Sequence, residues 1–542
     1  MLTCILLVGG FNEFTSCIVS VAASAYLIYK VTKMKKFIIK TDILSISVFL
    51  ICLFYGLTSF WAIDKGMAFI GFLKFLPMLL FLVVLWQTQS ELSIEDILPY
   101  FSAVLAGISI IAANIKFTSE YFLVSGRLTG NFQYANTFAL FLLVGEIFLL
   151  KKKKLKVWDY ICFVVLIAGM LYTGCRAVFV LAILSNIALI IYKFRNGIKK
   201  APLLIFLGLI VASAVIAGVL NFDVLKRNLE LSISESSFIG RFLYWRDALS
   251  VIIKRPFGIG YLGYNYIQGS IQTGVYDVMY IHNDFLQFFI DVGWIPAILF
   301  VISIVRYFCK KQAAFHKKIA VAVICAHSLF DFNLQFISIT MLLLLLLDEP
   351  NQKAMVIKKG RDCAIACLIA VLILNIYMCI PLVLHSFNKH KAADILYPWN
   401  TENKIAMLEN ETDVEKAVVI ANDISKQNKH TYIPYSINAK YAFSKGDFAS
   451  LISNKNKVFE LQPFKYMEYK EYGVMLIEGI KLYKQSGDFG SVKYCQNELI
   501  NTKNKLAGNK DKLSYLGKLI KNQPQTEFPE VISEYIEKLE QN

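Results

Sequence analysis

Charged residues are scarce in this chain: they make up 18% of its 542 residues, where a soluble domain holds about a quarter. That shortfall excludes an ordinary globule, and a hydrophobic share of 56% excludes a disordered chain. There are only six histidines. The eleven cysteines have no spacing that suits a disulfide framework or a zinc site, so they read as small apolar fillers. The formal net charge of +16, from 56 Lys and Arg against 40 Asp and Glu, admits a nucleic-acid partner at first sight. Its distribution removes that reading. Residues 388–542 hold 22 basic and 20 acidic residues, whereas residues 1–387 hold 34 and 20. The surplus travels with the apolar part of the chain, as in an integral membrane protein. A DNA-binding face needs a basic stripe on a soluble domain.

What the sequence has in abundance is apolar runs near the 20 or so residues that a bilayer requires. About twelve occur, near 11–29, 41–60, 67–87, 98–115, 131–150, 157–173, 175–192, 201–220, 285–305, 319–335, 336–347 and 362–387. The first ten residues are also apolar, but they lack a basic start and a small-residue cleavage site, so no signal peptide is expected. Segments 30–40, 151–156, 193–200, 306–318 and 353–361 hold 5, 5, 4, 5 and 4 basic residues. With these spans all five fall on one side, which the positive-inside rule makes the cytoplasm, and the N-terminus falls outside. Lys74, inside a span, is expected to snorkel toward an end. The fold class expected is all-α: a polytopic membrane region over 1–387 with a long outer loop at 221–284, and an outer helical region over 388–542.

The outer region reads as amphipathic helices, among them 413–427 and 434–445. Gly446-Asp447-Phe448 returns 41 residues later as Gly487-Asp488-Phe489, each between two helical stretches. Helix-turn-helix units at such a period point to an α-solenoid, with an irregular helical bundle as the alternative.

Polar residues at the outer mouth are informative because burying them is costly. Arg127, Arg176, Arg241 and Arg246 stand on the side where basic residues are disfavoured; the plain alternative is a lipid-phosphate anchor for Arg127 and Arg176, and a solvated or snorkelling side chain for Arg241. Arg127 lies in a glycine-bounded turn, with Asn136 one turn into the next helix. Arg246 sits beside Asp247, as in a local ion pair. Phe238, Phe242, Trp245, Leu249 and Ile252 form one face of a helix suited to the interface. Gly258-x-Gly260-x-x-Gly263 has the outline of a dinucleotide loop, but without a βαβ unit it reads as a turn shaping the mouth. His282, followed by Asn283 and Asp284, opens the ninth span; histidine suits general-base work near neutral pH, and a helix cap is the alternative. His327 and Asp331, four apart, would share a helix face as a relay or a structural hydrogen bond. No Asp-x-Asp-like pair lies outside, so neither metal nor cofactor is expected. Clustered arginines instead match phosphate geometry.

Several of these motifs, in this order, resemble the O-antigen polymerase and ligase family. They are Gly126-Arg127-xx-Gly130-x-Phe132-xxx-Asn136, Gly174-Cys175-Arg176, Arg241-xxx-Trp245-xx-Ala248, Pro256-x-Gly258-x-Gly260, His282-Asn283-x-Phe285-Leu286-Gln287 and His327-Ser328-Leu329-Phe330-Asp331-Phe332. Trp61-Ala62-Ile63-Asp64 is similar to the family's first outer loop, and members with a helical-repeat tail are familiar. Cys175 stands where the family usually has Ser.

The resemblance implies an inverting, metal-independent membrane glycosyltransferase of a bacterial cytoplasmic membrane. Its donor would be a glycan on undecaprenyl diphosphate. Arg176 and Arg241 would hold the diphosphate and His282 would act on the acceptor hydroxyl. Arg127, Asn136, Asn283, Arg246 and His327 would line the donor site. The leading expectation is a polymerase of repeat units for a surface polysaccharide. An O-antigen ligase or a protein O-oligosaccharyltransferase is the alternative, and a lipid-linked oligosaccharide transporter is less favoured. The tail would meet a chain-length regulator or another assembly protein.

Overall fold

Apolar runs with no polar partner for their backbone in a bilayer must close their hydrogen bonds internally, and these do so as helices. The structure is a computed structural model that describes residues 1–88, 94–152, 154–195, 201–229, 236–311, 313–348, 354–357 and 360–541. The side chains of 201–207, 209, 228, 229, 236 and 237 lie outside that description. So do Lys153, Lys199, Lys200, Lys353, Lys358 and Lys359 of the basic loops.

Every expected span coincides with a helix. They are Glu13–Met34, Ile43–Thr58, Lys65–Thr88, Ile94–Ala113, Ala135–Leu150, Val157–Thr173, Arg176–Arg195, Ala201–Leu220, Trp294–Cys309, Phe315–Ser328, Ile337–Leu347 and Arg361–Ser386. Among the described residues, five are long and apolar enough to cross a membrane by themselves, and six shorter apolar stretches accompany them. The protein is an all-α polytopic membrane protein.

The ninth span differs from expectation, because it is split. Gly293, at φ 86°, separates a short helix Asp284–Val292 from Trp294–Cys309. The glycine-rich turn fills the break. Ile259 N–H donates to the Ile290 carbonyl at 2.8 Å, and Gly260 N–H to that of Asp291 at 3.0 Å. A Cβ on Gly258 would lie 2.3 Å from the Asp291 carbonyl oxygen, so only glycine fits this approach. The motif therefore joins backbone to backbone, as a turn shaping the mouth should.

The bundle has two chemically distinct ends. At one, the strand Phe37–Lys40 pairs antiparallel with Ala354–Ile357, and Lys40 meets Asp348 at 2.8 Å. Glu95 at this end draws in Lys151 at 3.4 Å, His316 at 3.6 Å and Lys317. Lys193 reaches the Lys152 carbonyl at 3.5 Å. All five basic loops thus contribute to the same end. The opposite end carries the hairpin Leu123–Val124 and Arg127–Leu128, turned through Ser125 and Gly126 at φ 51° and 73°. Residues 1–11 fold into that end too, with Cys4 and Ile5 in the core.

The chain after Ser386 docks on the end that carries the arginines. Asp64 accepts from Thr401 and from Asn428 Nδ2, the latter at 3.1 Å, and Tyr397 donates to the Gly66 carbonyl at 2.9 Å. The helices Val414–Gln427 and Ile433–Ser444 stand where periodicity places them. Both Gly-Asp-Phe copies have one geometry. Gly446 and Gly487 lie at φ 72° and 77°, and Asp447 and Asp488 cap the next helix from Ser450 N–H and Ser491 N–H, each at 3.0 Å. Each joins two helices, Ile433–Ser444 to Phe448–Leu461 and Tyr466–Ser486 to Phe489–Gly508. These four share a core that includes Leu451, Tyr472 and Cys495.

Candidate functional site

One carboxylate organises the mouth. Asp331 lies in the turn after Phe315–Ser328, with its side chain 2% exposed. Tyr134 OH donates to its Oδ1 at 2.8 Å, and Asn136 Nδ2 to its Oδ2 at 2.7 Å. His282 Nδ1 stands 3.3 Å from Oδ1, and an Arg241 terminal nitrogen 4.0 Å from Oδ2. Burial alone would raise the Asp331 carboxyl. The closeness and charge of His282, followed by His327 and Arg241, outweigh it and hold the group below the usual carboxylate range. Asp331 is thereby kept anionic beside Arg241 and the two imidazoles.

His282 is about one-fifth exposed, so a ligand can reach it. Its backbone sits at φ 55°, a left-handed conformation that costs a non-glycine residue energy and often marks a functional position. The next residue explains how this turn is held. Asn283 caps Asp284–Val292 by accepting Leu286 N–H at 3.0 Å. The capping role expected of the His-Asn-Asp cluster thus falls to Asn283, leaving the imidazole to face Asp331.

Arg241 comes from the helix Ser236–Lys254. Its Nε is buried and has no hydrogen-bond partner, a costly state that an anionic ligand would relieve. The aromatic face expected on this helix is only partly turned outward. Phe238, Phe242 and Trp245 pack on Phe330, at ring separations of 6.0, 6.5 and 5.3 Å, which presses the helix against the Asp331 turn.

Arg127 supports the group from the hairpin. Its Nε donates to the Thr173 carbonyl at 2.7 Å and a terminal nitrogen to Asn136 Oδ1 at 2.6 Å. A chain of contacts therefore runs from Arg127 through Asn136 to Asp331. Arg176 begins the helix Arg176–Arg195 and is half-buried. Its neighbour Cys175 lies 3.7 Å from His327 Nε2, while His327 Nδ1 is 2.8 Å from Asn333 Nδ2. His327 is buried beneath the turn.

Two expectations need correction. His327 and Asp331 do not share a helix face, because the helix stops at Ser328 and Asp331 belongs to the turn beyond it. Arg246 makes no local pair with Asp247. Asp247 is taken by Thr273 N–H, Thr273 Oγ1 and Tyr276 OH at 2.8, 2.7 and 2.9 Å, and Arg246 turns to Thr273 Oγ1 at 3.3 Å. Burial raises the Asp247 carboxyl, and these bonds offset part of that cost.

Lys74 also departs from expectation. It does not snorkel but is fully buried. It donates to the Phe11 carbonyl at 2.9 Å, Tyr261 OH at 3.0 Å and Tyr280 OH at 3.3 Å, and lies 3.6 Å from Glu13. Tyr280 in turn packs on Phe332, whose ring stands 5.0 Å from that of His282. This network backs the site from the side of residues 1–13. A lysine that deep in a span was the one available sign of it.

The arrangement offers fixed cationic donors, an accessible imidazole and a carboxylate to orient it. Among the described residues, no three His, Cys, Asp or Glu side chains converge as metal ligands would. Compared with known proteins, residues 161–301 match the family model described as O-Antigen ligase. No curated protein and no solved structure matches the chain. The matched segment holds Arg176, Arg241 and His282, while the Arg127 hairpin and the Asp331 turn flank it on either side. Over residues 161–301, about a quarter of its length, the chain is similar to the O-antigen ligase family.

Proposed function

We propose that the protein is a polymerase that joins undecaprenyl-diphosphate-linked repeat units into a surface polysaccharide. The observation that carries this reading is the buried, unpartnered Arg241 Nε beside the Asp331–His282 pair. In the reaction, an acceptor hydroxyl oxygen bonds to the donor's anomeric carbon. The bond from that carbon to the diphosphate oxygen breaks, and the diphosphate leaves on its lipid. Displacement from the face opposite the leaving group inverts the centre. Arg241 and Arg176 bind the diphosphate and stabilise the charge that builds on it, work that preorganised donors do without reorganisation. His282 Nδ1 stands 3.3 Å from Asp331, and Nε2, the far nitrogen, is the base that takes the hydroxyl proton. Arg127 and Asn136 fix Asp331, Asn283 fixes the His282 turn, and His327 supports Cys175 next to Arg176. Arg246, on the same helix, lies toward the glycan rather than the diphosphate.

The site end and residues 388–542 face outward from a bacterial cytoplasmic membrane in this reading, and the basic end faces the cytoplasm. The chain divides into a membrane domain at 1–387 and a tetratricopeptide-like domain at 388–542 that receives an assembly partner. Deletion of the protein is expected to leave single lipid-linked repeat units. Long lipid-linked polymer on deletion overturns the polymerase in favour of a ligase or a protein O-oligosaccharyltransferase with the same donor chemistry.

A further inference from the structure

The helix that carries Arg241 is gripped from outside the membrane region. Ser514 N–H donates to the Thr273 carbonyl at 2.9 Å. Thr273 in turn gives its N–H and hydroxyl to Asp247, six residues after Arg241 on the same helix. Beside this link, Ile520 shares a small apolar cluster with Leu243 and Tyr276, with Leu516 and Ile239 packed against it. The fit leaves no slack. A Cβ on Gly517 would stand 2.1 Å from the Thr273 carbonyl oxygen, and one on Gly274 would stand 2.6 Å from Leu243 Cδ2 and 2.9 Å from Gly517 Cα.

The direction of the grip matters. Ile239 and Leu243 are one turn apart and share a face. Arg241, two residues from each, lies roughly 160–200° around the helix from both. Pressure on the Ile239–Leu243 face therefore drives Arg241 toward the opposite side, where Asp331 lies. On a neighbouring flank Phe330 packs against Phe242 and Trp245, so the helix is held between two supports.

We propose that residues 513–520 are a clasp that positions Arg241 for the diphosphate, acting through Thr273, Asp247 and Leu243. This rests on the reading of Arg241 as a diphosphate ligand, and it gives the outer helical region a part in donor binding beyond receiving partners. Ser514, Gly517, Thr273 and Asp247 are positioning residues in this scheme.

Ser514→Pro isolates the link. It removes the N–H that reaches Thr273, while the native φ of −70° at Ser514 already suits proline. Ser514→Ala keeps that N–H and loses only the hydroxyl that caps Gly517 N–H at 3.1 Å. The probe is undecaprenyl diphosphate, titrated into the purified full chain in detergent. Ser514→Pro is expected to weaken binding about fivefold or more, the scale of a typical coupling between sites, and Ser514→Ala by less than about half that. Arg241→Ala is expected to weaken it about tenfold or more, and adding Ser514→Pro to it to cost nothing further, because the clasp acts through Arg241. Gly517→Ala, which crowds the same carbonyl, is a second route should Ser514→Pro fail to fold, with the same expected loss. If Arg241→Ala leaves binding unchanged, the diphosphate reading itself is wrong. If Arg241→Ala weakens binding while Ser514→Pro and Gly517→Ala do not, or if the two losses simply add, the clasp is wrong and the reading stands.

Discussion

The two ends of the bundle both concentrate charge, and they use it in opposite ways. At the basic end, Glu95 is surrounded by Lys151, His316 and Lys317, and Lys40 by Asp348, so each ion finds a counter-ion. At the mouth, a single carboxylate faces an arginine and a histidine, and Arg241 Nε is buried with no partner. Charge that is complete in the protein sets orientation and holds loops together. Charge left incomplete in a buried position awaits a ligand of opposite sign.

That contrast breaks most visibly at the base. His282→Ala is expected to lower turnover of a lipid-linked donor by about 10²–10⁴-fold, measured as polymer formed by the purified protein; retention of wild-type turnover would remove the imidazole from the chemistry. Arg241→Ala comes next, at about 10²–10³-fold. Polymer of wild-type length in cells carrying it would show that the unsatisfied donor is incidental. Lys74→Met probes the network behind the mouth, where a buried ammonium serves three oxygens and a carboxylate. Losing it should cost about 1–3 kcal/mol in thermal unfolding, and adding Glu13→Gln should recover part of that. A variant as stable as the parent would mean that Lys74 is a passenger.

The smallest effect is expected at the basic end. Glu95 meets Lys151, His316 and Lys317 there with its side chain 22% exposed. Glu95→Gln should cost about 1 kcal/mol or less in thermal unfolding, because the pairs are partly solvated. Turnover should not change. A large loss of turnover would dissolve the distinction between the two ends.

Much of the fold was legible because hydropathy and loop charge are local signals. The helices from Glu13–Met34 to Arg361–Ser386 follow from run length, and the shared end of the basic loops follows from counting Lys and Arg. Gly293 was visible in the sequence, but its role in splitting a span depends on the 256–260 backbone that fills the break. The site was legible in its cations and less so in its centre. Arg127, Arg241 and His282 stand out as polar residues in costly places. Asp331 was read only with its sequence neighbour His327, whereas its partners come from positions 134, 136, 241 and 282. Arg246 and Asp247 misled for the same reason, since adjacency in sequence stood in for a contact that Thr273 makes instead. Lys74 and Glu13 meet across two helices, and no periodicity encodes that pairing.

The antiparallel strands at the basic end carry a consequence for biogenesis. Phe37 pairs with Ile357, and the helix Glu13–Met34 packs along Arg361–Ser386. The helix Glu13–Met34 meets Lys65–Thr88 early, but its other partner, Arg361–Ser386, follows only about 320 residues later. At ~5–20 residues per second of synthesis, that interval is roughly 15–60 s. During it, one face of the first helix and one edge of a strand stay uncovered in the lipid and at its surface. The contact between Glu13–Met34 and Arg361–Ser386 forms only then, so a ribosome that stalls before residue 354 releases a protein with an open flank, which quality-control proteases that survey the membrane can recognise.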